Sequence, residues 1–456
     1  MQRAEVLRKL ALVTMSDLDV ETSLDYAQNS LKLYEALEDQ HHQLEVLMHI
    51  QSIYSGGFRD GSMEDNAIKY LEKAAAIVEK EPDNQDKGLI YQRTAHLYLH
   101  RGQPAVTRTW AQKAEDLFAR LGIPMGTSLG TALTYTGQID AGFSYNEKNW
   151  EPVLKSGNPL IIALLGHELA LTRALLRDVP QARDWGERIL PEVKKAGGRY
   201  EGFLWRPLSL IYTLSGEFAK AEEACRAERE IEKKTLMSCF FEDAAGIGFY
   251  YLRKGDWKRA QNYLDWALPI HKERNNVAAI GACYYIQGNL FLEKKNYEKA
   301  EKFLIKSLEI CRNGGNVIFE LWVLPSICEV HLKKGQFEGA AEYINRGFEL
   351  LKPDQNWYGL AAPLYLVKAM LAAKERSWDM AAEYFAKADQ LNLKFGLPWD
   401  EAKTNYEWSK MLVARAQRDD EKNARKKHSR ANDVLQRLGI EDDAVKRLIE
   451  ESVSIK

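Results

Sequence analysis

The chain has 456 residues, 45% of them hydrophobic, so it is long enough for about three domains by length alone and apolar enough to bury a core. Lys+Arg total 63 against 65 Asp+Glu, a net charge of −2, which argues against the basic surface that nucleic-acid wrapping requires. No stretch approaches 18 apolar residues and the start, "MQRAEVLRKLALVTMSDLDV", lacks the apolar run of a secretory signal, so neither a membrane span nor a leader is expected.

In chain order, the first 121 residues read as helical repeats. The pattern Ala4, Leu7, Leu10 opens inside a helix with no polar cap, as in a fragment excised from a longer protein; a divergent natural start is the rival expectation. Small residues that anchor successive units stand at Ser23, Ala67 and Thr107, and "YSGGFRDGSMED" (54–65) lengthens the turn that makes the 23→67 spacing 44. Residues 122–160 are irregular, with six glycines and three prolines and a spacing 107→142 of only 35, and predict a kink between two sub-stacks.

From 161 to 440 the repeat is regular. Alanines 182, 221, 260, 300, 340 and 381 are 39–41 residues apart, and an aromatic residue precedes the last five by three positions: Phe218, Trp257, Tyr297, Phe337 and Trp378. Four residues after the anchor comes a large apolar side chain (Leu264, Leu304, Ile344, Phe385) and seven after it a small one (Ala267, Ser307, Gly347, Ala388). Offsets of 0, 4 and 7 share one helix face. Twelve residues before the anchor another small residue recurs (Gly248, Gly288, Ala369), with a turn such as "SGE", "KGD" or "KGQ" between. Each unit is therefore predicted as helix–turn–helix, with glycine ending the first helix and small residues letting two helix backbones approach. One pair cannot bury its own apolar face, so about eleven stacked units are expected. The tail 441–456, "DDAVKRLIEESV" in its middle, reads as a capping helix with one apolar face.

The small–aromatic–alanine skeleton, Gly248/Tyr251/Trp257/Ala260/Ala267 and Gly288/Phe291/Tyr297/Ala300/Ser307, resembles the tetratricopeptide repeat. The longer period and the "ARLGIP", "KFGLPW" and "QRLGIED" endings are similar to the long variant found in maltose-regulator-type activators and in sensor regions of signalling ATPases and nucleotide cyclases. The resemblance implies an all-α, right-handed α-solenoid whose first helices line a concave binding face. Carried onto this chain, the residues fifteen and eleven before each anchor give His167, Arg206, Leu210, Phe249, Tyr285, Asn289 and Glu329, with Trp322 on the same side. The family's peptide-carboxylate clamp is incomplete, because Ala245 and Pro325 occupy corresponding positions.

Catalytic chemistry has no matching motif. No G-x-x-x-x-G-K-[ST] loop occurs, so no nucleotide cofactor is expected. His96 and His100 are one turn apart without the adjacent Glu of a metalloprotease; we read His96 as half-buried and His100 as solvated, and expect no metal. Five cysteines without a C-x-x-C pair read as free thiols in a reducing, cytoplasmic setting. "RKKHSR" (425–430) reads as a solvated helix face and "EREIEKK" (228–234) as a surface helix with internal ion pairs. The expected function is a regulatory module binding a protein, a peptide or a small ligand, with no catalysis on this chain. The alternatives are a peptide-responsive regulator of the pheromone-receptor type and an enzyme working in the concave groove. The sequence leaves the oligomeric state open.

Overall fold

The structure, a computed structural model, describes residues 1–16, 19–55, 63–123, 128–195, 200–235, 243–273 and 275–440. The expected capping helix at 441–456, most of the long turn at 54–65 and Cys239 lie outside the described residues.

Among the described residues the chain forms 22 α-helices and one 3₁₀ turn, with no strand. They run α1 (Gln2–Ser16), α2 (Val20–Ala36), α3 (Gln40–Ser55), α4 (Met63–Val78), α5 (Gln85–His100), α6 (Pro104–Leu121), α7 (Leu129–Tyr135) and α8 (Ile139–Ser156). Then follow α9 (Pro159–Leu175), α10 (Val179–Lys195), α11 (Gly202–Leu214), α12 (Phe218–Thr235), α13 (Asp243–Lys254), α14 (Trp257–Glu273), α15 (Val277–Glu293) and α16 (Tyr297–Gly314). The last are α17 (Val317–Lys334), α18 (Phe337–Leu350), the 3₁₀ turn (Tyr358–Ala361), α19 (Ala362–Lys374), α20 (Trp378–Lys394), α21 (Pro398–Arg415) and α22 (Asp420–Leu438). Taken two by two these are eleven helix pairs, a tetratricopeptide-type array. The five aromatic signals Phe218, Trp257, Tyr297, Phe337 and Trp378 are the first residues of their second helices.

The turn within each pair has one recurring backbone requirement. Five residues before the anchor, Gly102, Gly137, Arg177, Gly216, Gly255, Lys295, Gly335 and Arg376 all have φ between 57° and 86°. This left-handed conformation reverses the chain between the antiparallel helices, and glycine adopts it at no steric cost. Asparagine then starts several helices by accepting a backbone N–H, as Asn296 does from Lys299 and Asn276 from Ala279.

Packing follows the small-residue code. A Cβ on Gly288 would lie 2.5 Å from the Leu304 side chain and 3.2 Å from the Ala300 carbonyl. Ala260, Ala300, Ala340 and Ala381 are completely buried. One cluster of buried apolar residues spans Ala4 to Phe118 and a larger one runs from Tyr135 to Ile440. The array curls back on itself: α5 touches α15 and α7 touches α17, each five pairs further along. The turn between α9 and α10 reaches across to the 3₁₀ turn, where Leu360 donates its N–H to the Leu176 carbonyl at 3.0 Å. The concave face is thereby closed into an interior.

Candidate ligand cavities inside the superhelix

Two cavities occupy this interior. The larger encloses about 1370 Å³ of space open to solvent and is lined by first helices α5, α7, α9, α11, α13, α15 and α17, with α12 and α16 behind them. His167, Arg206 and Leu210 face it, together with His96 and Glu168. The smaller, of about 730 Å³, is lined by Phe249, Tyr285, Asn289, Trp322 and Glu329, and also by Arg177, Arg253, Asp400 and Lys403. It shares Trp257, Glu293, Glu329, Trp399 and Lys403 with a third space of about 850 Å³ toward α22. The eight residues singled out in the sequence thus come together in five successive first helices, three on one cavity and five on the next.

A wall separates the two. The Trp322 indole N–H donates to the Leu175 carbonyl at 2.7 Å, and Phe249 and Tyr285 pack edge-on against the same ring. These three aromatics are 3–8% exposed, so they pack largely against one another rather than standing open in a groove. Asn289 donates to the Tyr285 carbonyl and accepts from Ser326, each at 2.9 Å, and Glu329 accepts from Lys403 at 2.5 Å.

The larger cavity is mostly apolar, and burial shifts three of its titratable groups toward their neutral forms. Burial pushes the Glu168 carboxyl up to about 8 and the His96 imidazole down to about 4. His167 also falls to about 4, by burial first and then by the charge of Arg206; its Nδ1–H donates to the Phe203 carbonyl at 2.7 Å. The one ionic feature is compensated: Arg206 Nε donates to Glu228 at 2.7 Å, their side chains 10% and 1% exposed.

Two expectations need correction. Glu228 belongs to no solvated charge ladder; it is buried beneath Arg206, because α12 turns that face inward. In the 425–430 run, Lys427 lies 3.7 Å over the Trp408 ring and 3.3 Å from Asp389, and Arg430 pairs with Glu401 at 2.8 Å, so part of the run packs back on the fold. Trp322, expected on the partner-binding face, lines the smaller cavity and joins the wall. The sequence reading missed Arg177, Arg253, Asp400, Lys403 and Glu168. Arg177 carried a signal, an arginine where the neighbouring turns carry glycine. Arg253, Asp400 and Lys403 come from helix ends and pairs that the repeat does not link, and Glu168 is the neighbour of His167 within α9.

Cys225, Cys283, Cys311 and Cys328 are buried thiols, with burial pushing Cys283 and Cys311 up to about 12. Among the described residues no three His, Cys, Asp or Glu side chains cluster as a metal site, and no helix is long and apolar enough to cross a membrane.

No protein-family model matches the chain. It is similar to response regulator aspartate phosphatase I of Bacillus subtilis (strain 168), at 24% identity over 239 residues, 48% of this chain and 57% of that protein. The chain therefore spans little more than half the length of this relative. Among solved structures it is similar to a Rap protein complexed with competence and sporulation factor, at 13% identity and a TM-score of 0.47 over 91% of this chain and 99% of that one. It is likewise similar to a human IFIT1 dimer with PPP-AAAA, at 15% identity and a TM-score of 0.47 over 90% of each chain.

Proposed function

We propose that this chain is a ligand-responsive interaction module that takes a peptide or small molecule inside its superhelix and relays occupancy to a protein partner. One observation carries the reading: five successive first helices turn His167, Arg206, Leu210, Phe249, Tyr285, Asn289, Trp322 and Glu329 onto two adjoining cavities. Such cavities suit ligands that are mostly apolar with a few convergent polar groups. The array closes on itself through the α9–α10 turn, so a ligand entering the interior bears on contacts between distant repeats. That gives occupancy a means of shifting the curvature of the whole solenoid. The likeness to a protein named a response regulator phosphatase supports a signalling context, with a response regulator as partner. The period of 39–41 residues and the glycine-capped second helices support the long-repeat variant, and the buried thiols suit a reducing cytoplasm. In this reading 122–160 is the joint between two sub-stacks, and the chain binds rather than catalyses.

The test is retention of short peptides from a synthetic pool by the intact chain, read by mass spectrometry after gel filtration. Peptides should be retained, and Leu210→Trp, which fills the larger cavity, and Tyr285→Ala should each reduce retention. No retained peptide, or retention that ignores both changes and is abolished by Lys299→Glu on a second helix, would place the site elsewhere and defeat the reading.

A further inference from the structure

The smaller cavity holds charge that packing does not require. Asp400 Oδ1 lies 3.1 Å from Arg177 Nη1 and 3.3 Å from Arg253 Nη2, so two guanidiniums share one carboxylate oxygen. Arg177 is 3% exposed and Arg253 8%. Arg177 Nε and Nη1 and Arg253 Nη1 are buried without an aligned hydrogen-bond acceptor. A guanidinium carries five N–H donors and pays for those it leaves unmatched away from water. Both planes are also fixed: Arg177 lies 4.3 Å over the Trp322 ring, and Arg253 lies 4.0 Å over Trp399 and 4.9 Å over Phe249. The forks are therefore pre-aimed and cannot swing away to bulk water.

Arg177 and Arg253 both face Asp400, while across the cavity Lys403 pairs with Glu329 at 2.5 Å. Glu293 also lines the cavity, its carboxyl raised by burial and drawn back by Lys403 and Arg253. The guanidinium N–H groups that Asp400 leaves unmatched thus stand in an aromatic-walled cavity.

We propose that this cavity binds a carboxylate borne on a planar or aromatic body, gripped by Arg177 and Arg253 opposite Asp400. The inference rests on the reading that ligands enter the superhelix and names the chemistry of one of them. A carboxylate supplies acceptors for the buried N–H groups, and arginine forks fit carboxylates in paired hydrogen bonds. A phosphate monoester dianion would set a second negative charge beside Asp400 and Glu329, in a setting where unpaired charge is costly.

The probes are indole-3-acetate, its neutral isostere indole-3-acetamide, and phenyl phosphate, measured on the full chain by calorimetry and by ligand-observed NMR. The acid should bind about tenfold more tightly than the amide, the ratio that charge-assisted hydrogen bonds confer. In Arg253→Met, which keeps the stem over Trp399 and removes the fork, the ratio should fall to near one, with thermal melting run alongside. If that variant does not fold, Arg253→Lys, which keeps the charge and loses the paired geometry, should still lower the ratio. Equal binding of acid and amide, or no binding of either, overturns the assignment, as does a ratio that ignores both Arg253 variants. Tighter binding of phenyl phosphate than of the acid overturns the assignment to a carboxylate. Should the peptide pool be retained while the acid shows no preference, only the anion assignment falls; should the pool also pass through unretained, the interior-ligand reading falls with it.

Discussion

The two cavities stand on opposite sides of one aromatic wall and bury polar groups in opposite ways. In the larger, Glu168, His96 and His167 are shifted toward their neutral forms, and the single ion pair, Arg206–Glu228, is closed on itself. In the smaller, Arg177 and Arg253 face Asp400 and Lys403 pairs with Glu329, so that each buried group meets one of opposite charge. The difference teaches that one repeat geometry can build an uncharged chamber and a charged one a few ångströms apart. The repeat sets where side chains point; the identity of a handful of them sets whether burial is met by proton uptake or by ion pairing.

The sharpest way to break this contrast is to remove the carboxylate on which the charged chamber depends. Asp400→Asn would leave two buried guanidiniums facing each other, and should cost about 3–5 kcal/mol. Urea denaturation followed by circular dichroism measures it. A loss below about 1 kcal/mol would mean that water reaches both arginines and that the chamber is not a charged interior.

Ala300→Leu probes the frame common to both cavities. Ala300 is fully buried and its carbonyl sits where Gly288 brings α15 close, so the added atoms should cost about 1–3 kcal/mol by overpacking. An unchanged urea midpoint would show that α15 and α16 do not meet at the anchor.

The uncharged chamber has a pH signature instead. Glu168 is raised from 4.5 to about 8, so its neutral form is the one the fold favours. A carboxyl raised on folding contributes stability fully below its unfolded value and loses it as pH rises toward the folded one. The parent should therefore lose stability between about pH 5 and 8 relative to Glu168→Gln. The two histidines act with the opposite sign: lowered from 6.5 to about 4, they contribute stability above 6.5 and lose it on acidification. Glu168 keeps some exposure at the cavity, so the difference is on the order of 1 kcal/mol. Parallel stability curves for parent and Glu168→Gln across that range would show that the carboxyl is already ionised.

How much of this was legible in the sequence divides along the same line. The pairs, their turns and the anchors repeat every 39–41 residues, and helical periodicity converts such spacing directly into stacking. The eight residues carried over by repeat position all face the interior. What the repeat could not convey is contact between pairs four to six apart, because those contacts depend on the summed curvature of all intervening units. Asp400 reaches Arg177 across more than two hundred residues, and Trp322 finds the Leu175 carbonyl across 147. The wall, and with it the burial of Trp322, arises only from that closure. The identity of Glu228 as a buried partner was similarly hidden inside a run of alternating charges.

The smallest effect expected distinguishes the two kinds of residue that occupy one backbone position. Arg177 and Arg376 both stand five residues before their anchors with φ of 57° and 59°, where most other pairs have glycine. A non-glycine residue pays roughly 1–2 kcal/mol for this conformation, while glycine costs roughly 0.5–1 kcal/mol of extra unfolded-state entropy. Arg376 is exposed, so Arg376→Gly should raise stability by a net of about 0.5 kcal/mol, read as a higher urea midpoint. Arg177→Gly relieves the same backbone strain yet removes the guanidinium that lies on Trp322 and pairs with Asp400, and should lower stability. Opposite signs at equal φ would show that Arg177 is kept for its side chain. If both substitutions stabilised, the Arg177–Asp400 contact would contribute less than the strain it accompanies, and the charged chamber would have to rest on Arg253 alone.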